Sequence, residues 1–380
     1  MIATLPPLSL YIHIPWCVRK CPYCDFNSHA PKSAIDEDSY LKQLLADLNT
    51  ELPLVQGRRL VSIFIGGGTP SLMSPGFYHQ LLQHIEKAVP FAKDIEITLE
   101  SNPGTIDESH FPGYFDAGIN RISLGVQSFN NAHLAALGRI HNGDQARIAV
   151  ERLTQAGFRN FNIDLMHGLP DQTVAEAEQD LRQAIALQPT HLSWYQLTIE
   201  QNTEFYNNPP PLPADDLLVD IQEAGEALLA ASGYQQYEVS AYSLAGCRSV
   251  HNTNYWQFGD YLAIGAGAHG KSTRPQGDIL RYNKTRQPEA YLRRIDNFRA
   301  ASDLIPANEL PFEFMMNVLR LKEGVPSELF YARTGMPLTT IAPTLTRLRS
   351  KGLLHENRLQ ATEVGFRFLN ETIASFLSAE

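Results

Sequence analysis

Along the first half of the chain, short β-branched and aromatic runs alternate with longer stretches whose apolar residues recur three and four positions apart. LSLYIHIP (8–15), VSIFIG (61–66), IEITLE (95–100), RISLGVQ (121–127), FNIDLMHG (161–168) and HLSWYQLT (191–198) read as strands. Between them, SYLKQLLADLNTEL (39–52), FYHQLLQHIEKAV (77–89), QARIAVERLTQAG (145–157) and VAEAEQDLRQAIAL (174–187) carry helical periodicity. Gly118 and Gly157 fall where a helix should stop and the next strand begin. This alternation is the signature of parallel βα units, and six of them predict an α/β fold, a partial (β/α)6 barrel of TIM type.

The pattern then changes. Four prolines, Pro209, Pro210, Pro211 and Pro213, interrupt NNPPPLPADD (207–216), which reads as a stiff loop before a helix over 216–233; a proline-motif docking site is the alternative. After YEVSAYSLAG (237–246) the periodicity becomes irregular to about residue 284. From 310 onward, LPFEFMMNVLRLKEG (310–324), PLTTIAPTLTRLRSKGLL (337–354) and EVGFRFLNETIASFL (363–377) are helical without strands between them. They predict a small helical C-terminal domain, winged-helix-like if GLLHENRLQAT (352–362) forms a hairpin. The expected division is a barrel core over 1–240, an extension over 241–305 and a helical domain over 306–380.

Composition narrows the function classes. Hydrophobic residues make up 43% and charged ones 19%, a globular balance, and 41 acidic against 31 basic side chains give a net charge of -10. No basic cluster offsets that charge, so nucleic acid is not expected as a partner, and the helical domain is expected to serve packing or protein contact. The amino terminus, MIATLPPLSLYIHIPW, lacks a basic region, a long apolar run and a small-residue cleavage site, which predicts a cytoplasmic protein. No segment approaches the roughly 20 apolar residues of a membrane-spanning helix, while peripheral membrane contact stays open.

Three of the four cysteines, Cys17, Cys21 and Cys24, fall within CVRKCPYC (17–24). In a reducing compartment such a cluster points to a ligand set rather than to disulfides. Structural zinc takes four ligands, and the fourth thiol, Cys247, is remote in sequence. Three thiolates from one loop suit an iron–sulfur cubane with one iron left open. Burial by chance fits poorly with Arg19, Lys20 and Pro22 in the same loop.

The CxxxCxxC spacing, with the aromatic Tyr23 before its last cysteine, resembles the cluster loop of radical S-adenosylmethionine (radical SAM) enzymes. The resemblance implies a [4Fe-4S] cluster whose unique iron is chelated by the amino and carboxylate groups of S-adenosylmethionine, and whose reduction splits the sulfonium to a 5'-deoxyadenosyl radical. Further features sit at strand ends, where barrel enzymes build their sites: IGGGTPS (65–71), Glu100 in LESNPG, Gln127 in GVQSF and Asp164 in NIDLMHGLP. A polar group in an apolar strand is either a structural hydrogen-bonder or a ligand group. The chain is more closely similar to the coproporphyrinogen-oxidase-like branch. That similarity implies that Tyr11, six positions before the first cysteine, touches S-adenosylmethionine, and that Gly67, Gly68, Thr69, Glu100, Gln127, Arg139 and Asp164 contact S-adenosylmethionine or a second ligand, although Arg139 also reads as a solvated helix-end charge.

Two groups share these motifs. The oxygen-independent coproporphyrinogen III dehydrogenases continue the loop as CxxxCxxCxC and carry a long segment ahead of it. Here Phe26 holds the position of the extra cysteine, and the first cysteine is residue 17. HNTNYW (251–256) matches the HNxxYW motif of HemW-type haem chaperones. His251 offers an imidazole, Tyr255 a phenol and Trp256 an apolar face for a macrocycle, with Cys247 a further ligand candidate; a hydrogen-bonded structural histidine and an inert thiol are the plain alternatives. AIGAGAHGK (263–271) completes no phosphate-loop or dinucleotide fingerprint and is expected to close the barrel near the cofactor. The resemblance thus implies a haem chaperone holding a [4Fe-4S] cluster, S-adenosylmethionine and haem, and passing haem to respiratory haemoproteins. The alternatives are coproporphyrinogen decarboxylation by the same cofactors, or a zinc-bound interaction module.

Overall fold

Period-two alternation explains the sheet. In the computed structural model, which describes residues 4–104 and 109–377, every strand of the first half turns one row of side chains outward onto helices and the other row inward. The outward row, including Leu10, Ile12, Ile63, Ile65, Leu99, Leu124, Ile163 and Leu192, joins Leu44, Leu81, Leu153 and Leu181 of the covering helices in one large core. The alternate positions include Ser9, Ser62, Glu96, Arg121, Asn162 and His191, all buried.

The strands are β1 (Leu8–Ile14), β2 (Leu60–Gly67), β3 (Phe91–Ser101), β4 (Arg121–Gln127), β5 (Phe161–His167) and β6 (His191–Gln196), followed by β7 (Gln235–Glu238), β8 (Ala241–Ser243), β9 (Asp260–Ile264), β10 (His269–Thr273), β11 (Ile279–Lys284) and β12 (Arg299–Leu304). They form one sheet in the order β12-β11-β10-β9-β1-β2-β3-β4-β5-β6-β8-β7. β1 to β6 run parallel and neighbour one another in chain order. The sheet ends at β12 and β7, so the barrel is partial and open.

The stretch that lost periodicity after residue 246 is sheet as well. β9 pairs in parallel with the free side of β1, and β10 to β12 continue antiparallel. These strands have five or six residues and are punctuated by Gly265, Gly267 and Gly270, too short and broken to leave an apolar run. Buried charge fastens them to the first helix, Glu37–Glu51. Lys284 of β11, wholly buried, pairs with Asp47 and, at 2.5 Å, with Glu51; Arg299 of β12 reaches Glu51 at 2.6 Å, and Tyr291 donates to Asp47 at 2.7 Å.

A second core gathers Phe314, Val318, Phe330, Leu345 and Leu348 from the helices Leu310–Val318, Glu328–Thr334 and Ala342–Ser350. The antiparallel bridge Leu354–Ala361 supplies the expected hairpin, and Leu359 bridges from it to Val325. Removing one partner of a buried ion network leaves the others unpaired, at a cost of about 3–5 kcal/mol. Lys284→Met is therefore expected to lower the unfolding free energy by that order, read as a lower urea midpoint at unchanged slope; an unchanged midpoint would contradict the network's role.

Candidate functional site

The cysteine loop leaves β1 at Pro15 and is closed at its base. Cys17 N–H donates to His29 O at 3.0 Å and His29 N–H to Pro15 O at 2.8 Å. Within it, Cys24 N–H turns back onto Cys21 O at 3.1 Å, and Lys20 Nζ holds Phe26 O at 3.0 Å. The closed loop rests on the end of β2: Gly68 N–H donates to Ile14 O at 2.8 Å and Thr69 N–H to Trp16 O at 2.6 Å. A Cβ on Gly68 would sit 2.3 Å from Trp16 O, and one on Gly67, at φ +119°, 2.6 Å from the His13 ring. Only glycines allow this approach.

Polar side chains continue the seam. Thr69 Oγ1 donates to Cys17 Sγ at 3.2 Å, Asn102 Nδ2 to Thr69 Oγ1 at 3.2 Å, and the Arg139 guanidinium to Asn102 Oδ1 at 2.6 Å and Gly125 O at 2.7 Å. The same guanidinium approaches Cys21 Sγ at 3.5 Å. Arg139 is thus built into the site rather than solvated at a helix end, and its buried Nε has no partner among the described residues.

An open cavity of about 130 Å³ lies beneath this loop, lined by Cys17, Cys21, Tyr23, Cys24, Gly67, Gly68, Glu100, Gln127, Arg139 and Asp164. Sequence reasoning thereby finds most of one site. It misses Asn102, which bridges Thr69 and Arg139; Tyr195, whose hydroxyl donates to Gln127 Oε1 at 2.7 Å; and Asn162, which donates to Asp164 Oδ1 at 2.7 Å. Gln127 occupies the left-handed region at φ +69°, a conformation uncommon outside glycine. Burial, reinforced by the charge of Asp164, pushes the Glu100 carboxyl up to about 7 against the Gly67 N–H, which donates to it at 3.0 Å. Burial also raises Asp164, against hydrogen bonds from Asn162, Ser193 and Ser123.

The donor set fits the expected cofactors. Three thiols share one cavity wall, glycine backbone lines it beside them, and two half-buried carboxyls with an incompletely bonded guanidinium suit a zwitterionic ligand carrying a sulfonium. Among the described residues no three His, Cys, Asp or Glu side chains gather about a point as a single metal ion requires; a cubane instead takes thiolates at separate corners.

Two expected residues lie elsewhere. Tyr11 and His251 line a second cavity of about 450 Å³, together with His13, Asn27, Tyr255, Tyr261, His269 and Arg286; Phe26 lines both cavities. His251 lies in the helix Val250–Trp256, whose first N–H groups are capped by Ser249 and by Glu96, which accepts from Val250 N at 3.0 Å and His251 N at 3.1 Å. Its Nδ1 meets Ser62 Oγ at 3.0 Å; burial, then the charge of Arg121, brings its imidazole down to about 3, so the ring is neutral. Trp256 does not face this cavity. A helix turn places 251 and 255 on one face and 256 off it, and the indole packs against the C-terminal domain under the Arg320 guanidinium at 4.6 Å. Cys247 is also absent from the lining, its thiol 3.7 Å from Ala245 O. The glycine stretch after β9 does press on the cysteine loop: a Cβ on Gly267 would meet Asn27 at 2.1 Å.

Residues 11–184 match the family model of the Radical SAM superfamily, and residues 305–368 that of the HemN C-terminal domain. The chain is 53% identical over 382 residues to a Haemophilus influenzae protein named Heme chaperone HemW, covering 99% of each. It is 52% identical over 376 residues to the Escherichia coli protein of the same name, covering 98% of this chain and 99% of the relative. Among solved structures, Escherichia coli coproporphyrinogen III oxidase (HemN), described as a radical SAM enzyme, matches 98% of this chain and 90% of its own with a TM-score of 0.82 at 22% identity, a likeness of fold.

The state of Glu100 gives a prediction. A carboxyl raised by folding favours the folded chain below its unfolded value, and that contribution is lost as pH rises toward about 7. Glu100→Gln is expected to raise the melting temperature of the ligand-free protein at pH 8 and to gain less, or nothing, at pH 5. Equal gains at both pH values would contradict it.

Proposed function

We propose that this chain, which belongs to the HemW family of haem chaperones within the radical SAM superfamily, takes up haem in its second cavity and passes it to haem-accepting respiratory proteins. In this reading Cys17, Cys21 and Cys24 hold a [4Fe-4S] cluster. Tyr23, Gly67, Gly68, Thr69, Glu100, Gln127, Arg139 and Asp164 surround S-adenosylmethionine, Tyr11 lies toward the second ligand, and His251 ligates haem iron. The barrel core spans 1–240, the extension with the HNxxYW motif 241–305 and the helical domain 306–380. The protein works in the cytoplasm, meeting membrane-bound recipients by peripheral contact; among the described residues no helix is long and apolar enough to cross a membrane.

One observation carries the haem assignment. His251 is neutral, its Nδ1 is engaged by Ser62, its Nε2 has no hydrogen bond among the described residues, and the ring borders a cavity of about 450 Å³. Iron-ligating imidazoles are commonly oriented by such a bond at the other nitrogen. That volume falls within the roughly 300–1,000 Å³ of small-ligand pockets.

When bound, the cluster with S-adenosylmethionine supplies one-electron chemistry at its open iron. The chain's own residues bind and orient. Arg139 is directed at the loop through Cys21, and Glu100 and Asp164 accept a cationic ligand whose charge would return both carboxyls to the ionised form. Phe26, standing where the decarboxylases have a further cysteine, offers no thiol to either cavity.

Haem titrated into anoxically prepared protein should give the visible spectrum of a histidine-ligated complex, and His251→Ala should lose that spectrum while remaining folded. An unchanged spectrum in the variant would remove His251 as the ligand. Loss of carboxylates from coproporphyrinogen III on incubation with the reconstituted protein would overturn the chaperone reading in favour of the decarboxylase.

A further inference from the structure

The second cavity is two-sided in character. Tyr11, Phe26, Tyr255 and Tyr261 give it aromatic walls, whereas Arg286 and His269 bring basic groups to its lining. Asp25, exposed, is the single carboxylate among the lining residues.

Arg286 stands out among these groups. Its guanidinium pairs with no carboxylate among the described residues, while Arg281, the nearby guanidinium of the adjoining groove, is engaged by Glu313 at 2.5 Å. The backbone beneath Arg286 is held. Asn27 Nδ2 donates to Arg286 O at 2.9 Å and to Ala266 O at 3.0 Å, so this arginine is tied to the loop that carries the cysteines. Burial, then the charges of Arg286 and Arg281, hold the His269 imidazole below its ordinary value, as expected where positive charges gather without an anion. A rigidly based, unpaired guanidinium beside an aromatic slot matches a flat ligand with an anionic edge, because its planar fork receives carboxylates in bidentate fashion.

We infer that Arg286, with His269 also on the cavity wall, anchors a propionate carboxylate of haem and thereby selects tetrapyrroles that carry a free acidic edge. The inference rests on the reading that this cavity takes haem, and it adds the feature by which the ligand would be oriented: iron toward His251, carboxylate toward Arg286. Delivery then requires breaking one coordination bond and one ion pair on the open side of the same cavity.

The test uses the full chain, prepared without oxygen, and two probes with the same macrocycle and iron: haem and its dimethyl ester. Each is titrated into the wild type, Arg286→Gln and Arg286→Lys, following the Soret band. The wild type is expected to bind haem about tenfold more tightly than the diester, the modest gain of a charge-assisted contact on an exposed side chain. Arg286→Gln should lose that preference with diester affinity unchanged, Arg286→Lys should fall between, and added salt should narrow the wild-type preference. If Arg286→Gln keeps the full preference while the wild type binds haem, the anchor is wrong and the haem reading stands. If the wild type takes up neither probe, the haem reading falls and the anchor with it.

Discussion

Two backbone hydrogen bonds between the end of β1 and the end of β2 set everything above the sheet. Gly68 N–H to Ile14 O and Thr69 N–H to Trp16 O draw the cysteine loop down until Trp16 O lies where any side chain on Gly68 would be. Parallel strands bring these two ends together, but only a residue without Cβ lets them touch. From that seam the polar relay through Thr69, Asn102 and Arg139 reaches both Cys17 and Cys21, so the thiols are positioned by the strand ends rather than by the loop alone.

The same sheet carries two cavities with different chemistry. Under the cysteine loop, half-buried carboxyls and a guanidinium share a cavity with glycine backbone, an environment that favours a compact zwitterion. On the side where β9 joins β1, aromatic walls and a neutral imidazole favour a larger, flatter ligand. Phe26 borders both, and Asn27 ties the loop to the residues around Ala266 and Arg286. His251 is held from three directions, by Ser62 at its ring, by Glu96 at its amide and by Phe64, whose ring centroid lies 5.2 Å away. A ligand in one cavity therefore borders structural parts of the other.

Much of this was legible in the chain. The six parallel strands announce themselves because their outward rows are continuously apolar, and the cysteine spacing, the glycine run, Glu100, Gln127 and Asp164 all fall at strand ends where a parallel sheet gathers them. What escaped follows from local physics. β9 to β12 are short and broken by glycine, so no periodicity betrays them. Asn102 acts through hydrogen bonds to Thr69 and Arg139, and Tyr195 through one to Gln127, and such bonds leave no pattern in sequence. Trp256 reads as a ligand face beside His251 until helix geometry turns it five residues round, onto the other domain. The helical domain showed its helices but not which surface they cover, because amphipathicity names a buried face without naming its partner.

The most direct measurement concerns the seam between β1 and β2. Iron and labile sulfide are to be determined in anoxically prepared wild type and in Gly68→Val, with circular dichroism to establish that the variant is folded. The account predicts both elements in the proportion of a [4Fe-4S] cluster in the wild type and a large loss in the variant. A wild type without iron or sulfide, or a folded Gly68→Val that retains the full complement, would contradict it.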